Sequence, residues 1–282
     1  MTSPGEAGLL DAARAGNAQA LEELLERHEP RLYRFARRLC RNPADAEDVL
    51  QESLLAAARG IGGFRGASSL STWLYTIARS HCIKTHRRRR SAPMEISLEA
   101  EEAALAREHP DPAPDPEATL RARRLEAALE RALARLDRPY REVLILRDVE
   151  GLTAPEVATV TGLSIAAVKS RLHRARARVR EEMAPLLAPR GEPVVEAESD
   201  RPCPDVIRLF SRYLEGDISP RTCARMEKHL AACPRCRASC DTLRSALETC
   251  RAAPTPKVPP ALQEKVRTAI RQVVAPAAAR TS

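Results

Sequence analysis

An all-α chain of several small helical domains is what this sequence predicts, on three observations. Aromatic residues are only 3% of the 282 positions and charged residues 30%, with abundant Ala, Leu, Arg and Glu, which favours helix bundles over sheets. Apolar residues recur at steps of three and four rather than two. The 22 prolines gather at a few junctions, so they punctuate rather than interrupt the helical stretches. The length suffices for two or three small domains.

Residues 9–90 read as helical throughout, with helices over about 17–28 and 30–41. A third starts at Asn42-Pro43, a cap followed by an N1 proline, and runs to about Arg59. Glycines 60, 62, 63 and 66 make a loop, and a long helix follows from about Ser71 to Arg90. Asp45, Asp48 and Glu52 are spaced to share one face of the third helix. Ala46, Leu50, Leu54 and Ala57 form a separate buried seam. An acidic stripe repels DNA and suits a basic protein surface, although the spacing also fits an ordinary solvated face. The last helix changes character along its length. Trp73, Leu74, Ile77 and Ala78 suit a core, while Lys84, His86 and the run Arg87 to Arg90 suit phosphates. The loop before it, with Phe64, Arg65, Ser68 and Ser69, has the composition to bend around an extruded base.

Charge is uneven. Residues 1–92 carry 15 basic and 10 acidic side chains, residues 93–119 carry 1 and 8, and residues 120–190 carry 15 and 9. Two basic blocks on an acidic tether imply two contacts with a polyanion. The tether, 93–119, alternates proline over 110–116 and reads as an extended linker.

Within the second unit, 120–186, Thr153 and Glu156 have the spacing of a capping box, with Pro155 in the first turn. Thr161-Gly162-Leu163-Ser164 supplies a tight turn, and Ser164 can cap a second helix. On that helix Val168, Leu172, Ala175 and Val179 form one apolar seam. Arg171, Arg174 and Arg178 line one flank, and Lys169, Arg176 and Arg180 the other, offering guanidinium groups to a phosphate backbone. This is the pattern of a DNA-reading helix-turn-helix.

After a junction at 187–202, residues 203–252 hold six of the eight cysteines. His229, Cys233 and Cys236 form an H-x3-C-x2-C run able to chelate one ion. Cys203 is the expected fourth ligand, folded back by a helix over 205–215, with Cys240 the competitor. A redox pair and plain core cysteines are the other readings of the motif. Four protein ligands leave no open position for water, so Zn2+ here is structural or regulatory rather than catalytic. A Pro-rich tail, 253–282, carries a last amphipathic helix with Leu262, Val266, Ile270 and Val273 on one side. No membrane-length apolar run and no signal pattern occur, so a cytoplasmic protein is expected.

Asp45-Ala46-Glu47-Asp48-Val49-Leu50-Gln51-Glu52, followed by Ser71 to Arg79, resembles region 2 of bacterial extracytoplasmic-function (ECF) sigma factors of the sigma-70 family. Pro139 to Val143, with Val168 to Arg176, resembles region 4 of the same family. The segment from Cys203 to Cys236 is similar to the zinc-binding fold of anti-sigma factors.

The resemblance implies that Asp45, Asp48, Gln51 and Glu52 dock on core RNA polymerase. It implies that Phe64, Arg65, Ser80, Lys84, Arg87 and Arg88 meet the −10 promoter element. At the −35 element it implies Ser164, Ala166, Ala167, Lys169, Ser170, Arg171, Arg174 and Arg178. Ser80 and Lys84 replace the family's usual Asn and acidic residue, and Ala166-Ala167 replace a Gly-Thr pair, so sequence preference departs from the family pattern. The domains expected are 9–92 (region 2), 120–186 (region 4) and 203–252 (zinc-binding). The chain itself is not an enzyme on this reading. The zinc domain and the helix near 262–274 are expected to pack on the two sigma domains and tune access to polymerase or promoter, with an activating or docking role also open. The alternative is a helix-turn-helix regulator with a metal- or redox-sensing domain that acts without replacing sigma.

Overall fold

The computed structural model describes residues 4–40, 42–90, 116–187 and 203–274. Among them twelve α-helices follow in order: α1 (Pro4–Arg14), α2 (Ala18–Cys40), α3 (Pro43–Gly60), α4 (Leu70–Arg90), α5 (Pro116–Arg135), α6 (Arg138–Leu144), α7 (Ala154–Thr161), α8 (Ile165–Leu187), α9 (Val206–Leu214), α10 (Pro220–Ala232), α11 (Pro234–Ala252) and α12 (Pro260–Val274). No strand occurs among the described residues. Two compact units result, one of residues 1–108, 159–162 and 254–282, the other of 109–158 and 163–253.

In the first unit α2 is a single helix through Pro30, where the sequence suggested two. Leu21, Leu24, Leu25, Leu32, Phe35, Ala36 and Leu39 are all buried along it. That continuous seam outweighs the one hydrogen bond a mid-helix proline removes, a cost of about 3 kcal/mol. The chain is also helical from Pro4 rather than residue 9, and α1 is tied to α2 by His28 Nε2 and Glu6 Oε1 at 3.1 Å. Asn42 caps α3 by accepting from the Ala44 and Asp45 amides, and Ser69 Oγ caps α4 by accepting from the Thr72 amide at 3.2 Å. Phe35 and Tyr75 meet edge-to-face at 5.3 Å between α2 and α4. The last helix among the described residues, α12, completes this unit by burying Leu262, Val266 and Ile270 against α2 and α3.

In the second unit α5 begins at Pro116, so the last four residues of the expected tether are helical; its remainder up to residue 115 lies outside the described residues. The junction 187–202 also lies outside them, apart from Leu187. A π-helical turn, Ile145–Val149, ends α6, and Gly151 at φ +78° reverses the chain into α7. Helices α9 and α11 both lie on α8. Val206, Phe210, Met226, Leu243 and Leu247 build a small core with Cys233, Cys236 and Cys240.

Candidate functional site

The helix-turn-helix forms as its sequence dictates. Glu156 Oε2 accepts from both the amide and the hydroxyl of Thr153 at 2.8 Å, and Thr153 Oγ1 accepts in return from the Glu156 amide. Gly162 turns at φ +70°, a left-handed conformation that glycine adopts without strain. Ser164 Oγ then accepts from the Ala167 amide at 3.2 Å. Val168, Leu172, Ala175 and Val179 are wholly buried, which leaves Ser164, Ala166, Ser170, Arg174 and Arg178 exposed and Ala167 and Arg171 half-buried. Arg174 Nη1 donates to the Tyr140 hydroxyl at 3.1 Å.

The other flank differs from the expectation. Arg176, read as a phosphate contact, is buried. Its Nε and Nη2 donate to Asp148 Oδ2 and Oδ1 at 2.9 and 2.7 Å. Nη2 also reaches Glu215 Oε1 at 2.7 Å, and Nη1 donates to Ser211 Oγ at 2.9 Å. Arg147 Nε donates to Glu215 Oε2 at 3.0 Å. Burial alone would raise the Glu215 carboxyl, but hydrogen bonds and charge from Arg176 and Arg147 outweigh it and hold it below its ordinary range. Around this buried hub, Lys169 pairs with Asp217 at 3.2 Å and His173 lies 3.8 Å from Asp205. The carboxylates that cap α9 and the one in the turn after it therefore line one side of α8.

On α3, Asp48 and Glu52 are exposed and Gln51 is half-buried, but Asp45 is 8% exposed and departs from the outward stripe. Its place beside the Asn42 cap turns it into the bundle. Gln51 shares a cleft with Ala261, Glu264, Lys265 and Thr268 of α12. Further along, Arg267 reaches Glu26 at 2.7 Å and Arg271 reaches Glu22 at 2.8 Å. Ser80, Lys84, Arg87 and Arg88 are exposed on α4, and Arg65 is exposed in the loop. Phe64, expected beside an extruded base, is instead 6% exposed and packs against Trp73 at 5.1 Å. Two large rings next to each other bury more apolar area together than either does facing water.

Cys203, His229, Cys233 and Cys236 converge: their ligand atoms all lie within 4.8 Å of one another. Cys203 precedes α9, His229 lies in the last turn of α10, Cys233 stands between α10 and α11, and Cys236 opens α11. The Sγ atoms of Cys203 and Cys233 are 4.0 Å apart, close to the roughly 3.8 Å edge of a tetrahedron with 2.3 Å metal–sulfur bonds. His229 Nε2 is buried without a hydrogen-bond partner, which suits a nitrogen that ligates a metal. The Cys236 amide holds the Cys233 thiol below its usual range. Burial and the neighbouring sulfurs push Cys236 up to about 12. Cys240, the competing ligand, packs into the core instead, as does Cys250, and Cys223 Sγ lies 3.6 Å from Glu227.

Three family models match the chain: "Sigma-70 region 2" over residues 24–92, "Sigma-70, region 4" over 126–179 and "Putative zinc-finger" over 203–237. Among curated relatives, the ECF RNA polymerase sigma factor SigM of Mycobacterium tuberculosis is 34% identical over 176 residues, covering 62% of this chain and 82% of the relative. CarQ of Myxococcus xanthus, an RNA polymerase sigma factor, is 33% identical over 172 residues, covering 61% and 94%. The sigma factor CnrH of Cupriavidus metallidurans is 32% identical over 180 residues, covering 63% and 94%. With two sigma regions in series and a Cys3His cluster behind them, the chain belongs to the ECF sigma factors of the sigma-70 family, which direct promoter-specific transcription initiation by RNA polymerase.

Proposed function

We propose that this sigma factor carries its own brake, and that its C-terminal third covers parts of the surfaces with which it engages polymerase and promoter. The observation that carries the reading is Glu215, a carboxylate of the C-terminal segment buried on Arg176 of the DNA-reading helix. Asp205, Glu215 and Asp217 together put negative charge along one flank of α8, where Asp217 competes with DNA phosphates for Lys169. On the other unit, α12 lies over α2 and α3 beside Gln51, a residue proposed to meet polymerase with Asp48 and Glu52. A segment tethered in cis needs little intrinsic affinity, because its effective concentration is high.

The promoter contacts proposed are Arg65, Ser80, Lys84, Arg87 and Arg88 at the −10 element. At −35 they are Ser164, Ala166, Ala167, Lys169, Ser170, Arg171, Arg174 and Arg178. Cys203, His229, Cys233 and Cys236 are the proposed ligands of a Zn2+ ion, which supplies folding energy to a domain of three short helices. A partner of RNA polymerase works in the cytoplasm, and among the described residues no helix is long and apolar enough to cross a membrane.

Binding of core polymerase and of duplex DNA, compared for the full chain and residues 1–190, tests the brake. Couplings of this kind amount to about 5–150-fold, and the truncated chain is expected to bind both tighter by a factor in that range. Equal affinities would show that the C-terminal third is not a brake.

A further inference from the structure

The two cysteines that precede residue 203, Cys40 and Cys82, face each other in the first unit. Cys40 ends α2 and Cys82 lies in the second half of α4, and their Sγ atoms are 2.8 Å apart. The separation is well inside sulfur–sulfur van der Waals contact and only a small side-chain rotation from the roughly 2.05 Å of a covalent bond. The packing holds them there. Helices α2 and α4 run in the same direction at this interface, so that Phe35 meets Tyr75 and, one turn or two further on, Cys40 meets Cys82. Cys82 is 3% exposed, but Cys40 is half-buried and gives a small reagent a way in. No third ligating side chain of His, Cys, Asp or Glu joins them among the described residues, so a metal cluster is not the reason for the pairing.

We infer that Cys40 and Cys82 form a reversible dithiol–disulfide site, separate from the Cys3His cluster, that exchanges with low-molecular-weight disulfides. The Cys40 thiolate attacks one sulfur of the small disulfide, forming a mixed disulfide and releasing one thiolate. The Cys82 thiolate then attacks the Cys40 sulfur and releases the second. Two protein thiols become one disulfide, the small disulfide takes the two electrons, and both protons leave on its two thiols. In a reducing compartment such a bond is transient and responsive rather than structural. It ties the end of α2 to α4 one turn before His86, where the exposed basic residues Arg87 and Arg88 begin, and so restrains the helix proposed to read the −10 element.

The test uses the zinc-loaded full chain titrated with oxidised glutathione, followed by thiol blocking, digestion and peptide mass spectrometry, with zinc release measured in parallel. A Cys40–Cys82 cross-link is expected at doses that release no zinc, reversed by dithiothreitol, with a melting temperature several degrees higher in the oxidised chain. Cys40→Ser is expected to abolish both the cross-link and the melting shift while keeping full zinc content. The inference is overturned if both cysteines stay open to alkylation until zinc is lost. A glutathione adduct that stays on Cys40 without passing to Cys82 overturns it equally.

Discussion

At Arg176 a guanidinium with a side chain only 1% exposed is held by Asp148 from its own sigma region and by Glu215 from the C-terminal segment. Asp148 alone neutralises it, so the helix-turn-helix does not depend on Glu215 for its fold. Removing Glu215 therefore acts on docking more than on folding. Hydrogen bonds to charged groups are worth about 1.5–3 kcal/mol, so Glu215→Gln is expected to shift docking roughly ten- to hundredfold toward the open state. Amide hydrogen exchange in α9 reports it, and unchanged exchange rates would count against the hub. Because the Glu215 carboxyl is held low, its contribution is present above its ordinary pKa of 4.5 and fades as pH falls through and below that value. Sequence alone placed Arg176 among the phosphate-facing arginines, since spacing gives a helix face but not what covers it. Its partners lie 28, 35 and 39 residues away in the chain, beyond any local pattern.

Glu29 is the opposite case. Burial, with help from Glu26, pushes its carboxyl up to about 7 despite the opposing charge of Arg267. The folded state keeps this proton while the unfolded chain loses it, so the stability from Glu29 falls as pH rises from about 4.5 to 7 and levels off above. Glu22, Glu26 and Arg267 line the same seam, and His28 titrates on the same helix, tied to Glu6. The wild type minus Glu29→Gln difference in urea midpoint isolates the effect. It is expected to move against the wild type between pH 5 and 7.5, and a flat difference would contradict the raised pKa.

Among the elements, those with a local chemical signal were legible in the sequence. The Asn42-Pro43 start, the Thr153–Glu156 box, the Ser164 cap and the seam of α8 each rest on residues within one or two turns. Pro30 misled because its breaking tendency is local, while the buried seam that carries α2 through it is tertiary. His229, Cys233 and Cys236 were legible because ligand spacing is itself a local code, and Cys203 joins them from 26 residues upstream; Phe64 was not, since its ring partner, Trp73, lies on the next helix. Helix α12 showed its apolar side in sequence but not the elements it sits on. Burying Val266 contributes about 1.5–3 kcal/mol, more than an exposed ion pair usually does. Val266→Asp is expected to release α12 from α2 and α3 while α1 to α4 remain folded. Hydrogen exchange confined to α12 and its contact face would bear this out, and loss of protection throughout α1 to α4 would contradict it.

For the molecule as a whole, the two parts of the C-terminal third divide between the units: α9 to α11 sit with the region 4 helices, and α12 sits with those of region 2. Each therefore lies with a helix that carries residues proposed to meet promoter or polymerase. On the proposed reading, this distribution lets one segment restrain two separate contacts. It also predicts dependence on metal, since chelation is expected to unfold α9 to α11 and withdraw Glu215 from Arg176.

Run-off transcription from a cognate promoter, with core RNA polymerase and equal amounts of the full chain or residues 1–190, with and without a zinc chelator, tests this most directly. About 5–150-fold more transcript is expected from the truncated chain. The chelator is expected to raise the full chain toward that level and to leave the truncated chain unchanged. Equal transcript from both chains, or less from the truncated one, would contradict it.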